Sequence, residues 1–206
     1  MFLLGHDERT GKARMSLEIL GVGLVATALA QLALDGAIYV EEGTGQVTRQ
    51  TIHRQDDAAA NYILEQIVKG EPTIYTVIDW ITVLRDDLYT GIGSNLEYDE
   101  LVQIDKAAIS RSVRYIPKPR TLGEEPLAWV YGVLRSRNSA VDFEEQQRVL
   151  ACICAAMGVA AAITALSPDE IETKYPKVLA NCKPATIAIA KAAAHVKTRL
   201  SMTVRR

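Results

Sequence analysis

A long apolar helix near the N-terminus constrains the fold more than any other feature of the sequence. Residues 16–42 have the sequence SLEILGVGLVATALAQLALDGAIYVEE. Ser16 suits an N-cap, and leucines and alanines then recur at spacings of three and four, which defines the buried face of a helix. Because apolar residues also occupy the other faces, this helix must lie inside a protein or in lipid. Gly36 suits the left-handed residue that ends a helix, and a strand begins at Ile38. We interpret the segment as a core helix.

The composition of the whole chain favours helices around that core. The chain has 206 residues, of which 49% are hydrophobic and only 6% aromatic, and its formal net charge is −2. This length suits one domain, residues 1–206. Abundant alanine and leucine favour a mainly α fold over a β-sandwich. The sequence therefore predicts a single globular helical domain with short β-hairpins, and its net charge gives no global reason to bind an anionic partner.

Shorter patterns predict the elements that follow. Residues 2–4 suggest a strand, and residues 42–45 suggest a glycine-containing turn between two strands. A helix is expected around Trp80, where aliphatic neighbours at helical spacing make the indole a buried anchor. Gly91 and Gly93 predict an interruption of that helix.

The C-terminal half contains a second apolar run, at residues 149–166, that carries no charge and is long enough to span a bilayer. Alanine adds little to transfer into lipid, and Gly158 lies in the middle of the run. We therefore predict two buried helical segments bent near Gly158 and a protein that is soluble without detergent. Capping boxes are predicted before this run at Asp142 and after it at Ser167.

The cysteines favour a reduced, intracellular protein. Cys152, Cys154 and Cys182 lie in or beside apolar helical segments and form no Cys-x-x-Cys pair, so we expect buried thiols. The three histidines are scattered, and no spacing of potential ligands suggests a metal.

The most basic part of the chain follows an acidic part. LEYDELVQID precedes KAAISRSVRYIPKPR, in which alternating apolar residues predict a hairpin near residues 101–117 whose second strand ends at Pro117. The cations in this stretch are Lys106, Arg111, Arg114, Lys118 and Arg120. They could bind an anionic membrane, at about 1 kcal/mol for each charge near the surface. Two alternatives are a solvated edge strand kept soluble by its charges, and neutralisation by the acidic stretch of the same or a neighbouring subunit.

Three motifs give the chain a resemblance to the Golgi phosphoprotein 3 family. They are the helix–turn–strand QLALDGAIYVEE, the helix VIDWITVL and the strand VRYIP, the last similar to bacterial members. The resemblance implies a mostly helical protein with a projecting hairpin. It also implies a non-enzymatic adaptor of the cytoplasm, peripheral on the cytoplasmic face of a membrane, that oligomerises through the hairpin. Eukaryotic members bind phosphatidylinositol 4-phosphate.

The residues that bind this headgroup in the family are not retained. The family uses a Trp before the first helix, an Arg within it and two Arg before the hairpin. Those positions align here with Ser16 and Val25, and near Thr90 and Gly93. Because a bidentate Arg suits a phosphate monoester, the resemblance implies lipid binding without selection of a phosphoinositide.

Two other function classes remain open from the sequence. A winged-helix-like regulator of nucleic acid would use the helix before Leu101 for recognition and the hairpin as the wing. The acidic residues at 97–100 oppose this hypothesis, since a recognition helix must not repel phosphates. An enzyme is the third hypothesis, but no nucleophile elbow, phosphate loop, metal set or cofactor motif is present. We therefore expect no catalytic residue, cofactor or metal site.

Overall fold

The fold is mainly helical, as the sequence predicts. The computed structural model describes residues 1–51, 53–106, 113–137 and 142–203, and these contain eight α-helices and two small antiparallel sheets. The helices are α1 (Leu17–Leu34), α2 (Ala58–Gly70), α3 (Val77–Tyr98), α4 (Glu124–Arg135), α5 (Glu145–Met157), α6 (Val159–Ile163), α7 (Pro168–Leu179) and α8 (Pro184–Thr203). The strands are β1 (Ile38–Val40), β2 (Gln46–Arg49), β3 (Tyr75–Thr76), β4 (Val102–Lys106) and β5 (Val113–Pro117). The sheet orders are β1-β2-β3 and β4-β5.

Helix α1 is the core helix that the sequence predicts. The Ser16 side chain accepts a hydrogen bond from the N–H of Ile19, and Gly36 ends the helical region at a φ of 68°. Helices α2, α3, α5 and α8 all pack against α1. Its 18 residues have a mean hydropathy of 1.9, enough by length and composition to cross a membrane, and 61% of them are buried in the protein. A buried core helix has these properties without meeting lipid.

Helix α3 is longer and more regular than predicted. It begins at a capping box between Thr76 and Asp79 and continues without interruption through Gly91 and Gly93 to Tyr98. The predicted interruption is therefore wrong. A side chain at Gly91 would meet open space, whereas Gly93 lies under the ring of Tyr115, so close packing explains the second glycine without a break in the helix.

The N-terminal segment also differs from its prediction. Residues 2–4 are not a strand, because Leu3–Gly5 forms a 3₁₀ helix with local backbone hydrogen bonds. Phe2 and Leu4 are both buried in the core, and this anchors the segment without a partner strand. The glycine-containing turn at residues 42–45 is confirmed, since β1 and β2 pair across it with Val40 opposite Val47.

The C-terminal helices confirm the predicted break. Helix α5 ends at Gly158, which has a φ of 83°, and α6 starts directly after it. The capping box at Ser167 is confirmed, but the one predicted at Asp142 is wrong. Glu144 is the N-cap of α5 and forms its capping box with Gln147. The Glu145 carboxylate is engaged elsewhere, because it accepts a hydrogen bond from the N–H of Lys183 at 2.7 Å.

Candidate functional site

The β4–β5 hairpin that carries the predicted basic residues is present, and β5 ends at Pro117 as expected. The two strands pair from Val102 opposite Pro117 to Lys106 opposite Val113. Residues 107–112, which lie between the two strands in the sequence, are outside the described residues. The described part of the hairpin is its base.

A buried aromatic cluster fixes the hairpin base to the rest of the protein. The ring centroid of Tyr115 on β5 lies 5.0 Å from that of Phe2 and 5.9 Å from that of Tyr89 on α3. His6 completes the cluster, with its ring centroid 5.3 Å from that of Tyr115. The backbone N–H of Tyr115 also donates to the carbonyl oxygen of Gly11 at 2.9 Å. Edge-to-face contacts of this kind stabilise aromatic clusters beyond the burial of their area, so the base is held from two sides.

The cluster is electrically neutral near physiological pH. His6 Nδ1 lies 2.9 Å from the carbonyl oxygen of Phe2, and Nε2 lies 3.2 Å from the Tyr89 hydroxyl. Burial lowers the pKa of His6, which disfavours the imidazolium form. Burial also raises the pKa of both Tyr89 and Tyr115, so the phenols stay protonated.

The predicted cations differ in their surroundings. Lys118 and Arg120 are exposed, and neither forms an ion pair with any residue that the structure describes. Arg114 is partly buried, and its Nη1 lies 3.7 Å from the Asp105 carboxylate on the paired strand. Arg111 lies outside the described residues, and so does the side chain of Lys106.

The acidic stretch neutralises only part of this charge. Asp105 pairs with Arg114 within the same chain, so one of the five predicted cations has an acidic partner among the described residues. Glu97 lies near Tyr115 and contributes to raising the pKa of that phenol. Asp99 and Glu100 are exposed at the end of α3. Lys118 and Arg120, the exposed cations after β5, have no acidic partner among the described residues.

Two further cations join this surface, and the sequence analysis did not identify them. Arg9 and Lys12 are exposed in the N-terminal segment, on either side of the contact between Gly11 and β5. The carboxylates of the same segment bind Arg14, with distances of 3.7 Å from Asp7 and 2.6 Å from Glu8. The residues from Asp7 to Gly11 have the composition of a turn, but nothing local shows that this segment lies beside a strand more than a hundred positions later. We name Arg9, Lys12, Arg114, Lys118 and Arg120 the hairpin-base surface.

The four positions that align with the family's headgroup residues do not form an anion pocket. Val25 is fully buried inside the core, and Gly93 lies against Tyr115. Ser16 caps α1, and the Thr90 hydroxyl donates to the carbonyl oxygen of Asp86 at 3.3 Å. None of these four side chains is positively charged, so none can form an ion pair with a phosphate group.

The grooves on the described surface do not replace that pocket. A groove of about 900 Å³ beside α1 has an apolar floor, and one arginine, Arg54, lies on its rim. The rim carboxylates are Asp35, Asp56, Asp57 and Asp99. A second groove of about 750 Å³ lies between the turn at residues 42–45 and α8, and its lining includes Glu42 and Lys191. Because the larger groove is predominantly acidic, it would repel a phosphate group.

Together these elements define a class of mainly helical protein with a charged surface beside a two-stranded hairpin. The model of the Golgi phosphoprotein 3 (GPP34) family matches residues 1–196, so the chain belongs to that family. The resemblance carried by the helix–turn–strand, Trp80 and hairpin motifs is therefore confirmed. The family is not an enzyme family. No curated protein gives a significant match to the chain.

Proposed function

We propose that this family member is a non-enzymatic adaptor that binds the cytoplasmic face of anionic membranes through the hairpin-base surface, without selecting one phosphoinositide. The observation that carries the proposal is a set of exposed cations at the base of the hairpin: Lys118 and Arg120 directly follow β5, and Arg9 and Lys12 flank Gly11, which is hydrogen-bonded to Tyr115 of β5. The aromatic cluster anchors the backbone of β5 to α3 and to the N-terminal segment. Because the backbone of β5 is anchored, binding does not have to order this strand, which limits the loss of conformational freedom.

Electrostatic attraction of this kind has a limited size. Each cation near an anionic leaflet contributes about 1 kcal/mol, so the four exposed cations supply about 4 kcal/mol at most. Arg114 adds less because Asp105 already compensates its charge. Such binding is reversible and sensitive to salt, as suits a peripheral protein.

Indifference to the headgroup follows from the surroundings of the cations. Phosphate selection requires convergent donors in a pocket, often a bidentate arginine. The exposed cations instead lie on a surface and do not line the larger groove, whose rim carries four carboxylates. The protein should therefore respond to charge density and not to the identity of the lipid.

Vesicle flotation tests the proposal directly. The protein should float with vesicles rich in phosphatidylserine, phosphatidylglycerol or phosphatidylinositol 4-phosphate when surface charge is matched, and not with neutral phosphatidylcholine vesicles. Replacing Lys12, Lys118 and Arg120 by Gln should remove about 3 kcal/mol, which is more than a hundredfold in affinity. Binding should weaken as salt shortens the screening length, which is about 8 Å at physiological ionic strength.

A matched control removes the same charge from another surface. Lys177, Lys183 and Arg199 are exposed on or next to α7 and α8, and their replacement by Gln should leave flotation unchanged. Equal loss in both triple variants would mean that only net charge matters. A strong preference for phosphatidylinositol 4-phosphate at matched charge would show that a specific headgroup site exists.

Self-association through the hairpin belongs to the same proposal. The outer edge of β5 is bound by Gly11 at Tyr115, whereas the outer edge of β4 has no partner strand among the described residues and could pair with a second copy. Sedimentation velocity should then show an oligomer that shifts toward monomer when the hairpin is altered. A monomer at all concentrations would contradict this part.

The exposed side of α3 disfavours the nucleic-acid alternative. Helix α3 contains one basic residue, Arg85. It is partly buried, and its Nε lies 3.6 Å from the Asp86 carboxylate. The exposed acids of the helix are Asp79, Asp86, Asp87 and Glu97. A helix with this charge repels a phosphate backbone, so a mobility assay with duplex DNA should show no sequence-specific complex.

A further inference from the structure

Two buried cysteines on different elements face each other outside the proposed membrane surface. We propose that Cys152 and Cys182 form a reversible oxidation site for hydroperoxides, and that the resulting disulfide ties α5 to the junction between α7 and α8. This inference does not depend on the proposed membrane function.

The distance between the two sulfur atoms is 4.0 Å. Cys152 lies in the middle of α5, whereas Cys182 lies in the short turn between α7 and α8. A disulfide requires about 2.05 Å, so the sulfurs must approach by about 2 Å. The turn can supply this movement more easily than the helix, since its backbone is outside regular structure.

The surroundings assign different roles to the two thiols. Cys152 is fully buried, whereas the residue Cys182 is 8% exposed and so lies closer to solvent. The hydrogen bond shared by the thiols lowers the pKa of Cys182 and raises the pKa of Cys152, and the Arg148 guanidinium adds to the lowering at Cys182. Arg148 is held there by Glu145, with 2.7 Å between Nη2 and the carboxylate. Cys182 is therefore the thiol that reacts first, and Cys152 is the resolving thiol.

The chemistry balances with a hydroperoxide as the only oxidant. The Cys182 sulfur attacks one peroxide oxygen, the O–O bond breaks, and the thiol proton goes to the departing alkoxide or hydroxide to give an alcohol or water. Cys182 is now a sulfenic acid. The Cys152 sulfur then attacks the Cys182 sulfur, the S–O bond breaks, and the hydroxyl leaves with the Cys152 proton as water. Two electrons pass from the thiols to the peroxide.

The disulfide would act on the packing of α8. It closes a loop between positions 30 residues apart and fixes the turn that leads into α8. Pro184 and Ile187 in the first turns of α8 line the groove that faces residues 42–45. Oxidation would therefore hold one wall of this groove against α5.

Cys154 provides an internal control on the same helix. It is fully buried, and burial raises its pKa to about 12. Its sulfur lies 3.7 Å from the Met1 sulfur and points to a different neighbour from that of Cys152. A general oxidation of buried thiols would include Cys154, whereas the proposed site would not.

The experiment treats the reduced, folded protein with hydrogen peroxide and maps the products by mass spectrometry after trypsin digestion. The peptide containing Cys152 should become linked to the peptide containing Cys182, and dithiothreitol should reverse the link. Because Cys152 and Cys154 share a tryptic peptide, the Cys154→Ser variant should keep the link and Cys152→Ala should lose it. The oxidised protein should melt roughly 5–10 °C higher, as expected for a loop of this size.

Because Cys152→Ala changes a fully buried residue, it could lose the link by unfolding. The Cys182→Ser variant tests the link without changing Cys152. It changes a thiol near the surface, so its circular dichroism should match the parent while peroxide produces no linked peptide. The proposal is wrong if the folded parent forms no link, if the links involve Cys154, or if the linked protein melts no higher than the reduced one.

Discussion

Trp80 is a single side chain on which the packing around α3 depends. It is 7% exposed, and its ring centroid lies 5.0 Å from that of Tyr75. Removing a buried aromatic of this size leaves a cavity, so Trp80→Ala should lower the free energy of unfolding by about 3–5 kcal/mol. Urea unfolding measures this change. A loss below about 1 kcal/mol would show that the indole is exposed in solution.

A second substitution at Trp80 distinguishes the contribution of packing from that of hydrogen bonding by the indole nitrogen. Nε1 is buried and has no hydrogen-bond partner among the described residues. Trp80→Phe therefore keeps much of the apolar area and removes an unsatisfied donor, so it should cost only about 1–2 kcal/mol. If Phe were as damaging as Ala, the indole nitrogen would have a partner in solution.

His6 makes stability depend on pH through its burial. Because its pKa in the folded protein lies below the ordinary value, the unfolded chain binds the proton first as the pH falls. The contribution of neutral His6 to the free energy of unfolding is fully present above about pH 6.5, the pKa of an ordinary histidine. This contribution is lost progressively as the pH falls from that value to the folded-state pKa. Urea midpoints from pH 8 to 5 should therefore fall more in the parent than in His6→Asn, which retains a donor toward Phe2. Parallel curves would show that His6 is charged or accessible when folded.

At the scale of elements, Gly93 decides how closely the hairpin approaches α3. A Cβ built at this position would lie 2.5–2.7 Å from the ring of Tyr115, so Gly93→Ala must displace the ring or the strand. We expect a loss of about 1–3 kcal/mol, as for other overpacked sites. The matched control is Gly91→Ala, where a side chain meets open space and better helix propensity should add about 0.5–1 kcal/mol. Thermal unfolding of both variants gives the comparison, and stabilisation by both would mean that the hairpin does not pack on α3.

Local sequence patterns predicted the elements whose ends depend on their own residues. The N-cap at Ser16, the break at Gly158 and the capping box at Ser167 are each formed by side chains within a few positions. Predictions failed where a distant residue intervened. Phe2 is drawn into the aromatic cluster instead of a strand, and Glu145 binds the backbone of Lys183 instead of capping α5.

At the scale of the whole molecule, the hairpin-base surface combines segments that the sequence keeps far apart. The hairpin and its cations Lys118 and Arg120 could be predicted because they are contiguous. Arg9 and Lys12 could not, since their position depends on the hydrogen bond between Gly11 and Tyr115. The partial neutralisation of Arg114 likewise depends on the strand register that places Asp105 opposite it. A run of basic residues can be recognised in a sequence. Which of them form ion pairs depends on contacts that only the folded structure shows.

Packing across the whole molecule also bears on whether the two apolar segments, α1 and residues 149–166, contact lipid. Helix α1 has the length and hydropathy of a membrane span, yet 61% of its residues are buried against the rest of the protein. The run at residues 149–166 is divided at Gly158, and Val149, Cys152 and Ile153 on α5 are buried in the same core. Moving either segment into lipid would give up this packing, so attachment should depend on surface charge alone.

We therefore predict that the protein is recovered without detergent. After lysis in high salt, which screens the hairpin-base surface, most of the chain should remain in the supernatant of a high-speed spin. A fraction bound at low salt should be released by high salt, and Lys12→Gln, Lys118→Gln and Arg120→Gln together should abolish that fraction. A carbonate wash distinguishes the outcomes, because it strips peripheral proteins and leaves integral ones. Recovery only in the carbonate-resistant pellet would mean that α1 or α5 leaves the core for the bilayer, and the packing described for α1 would not be the state in cells.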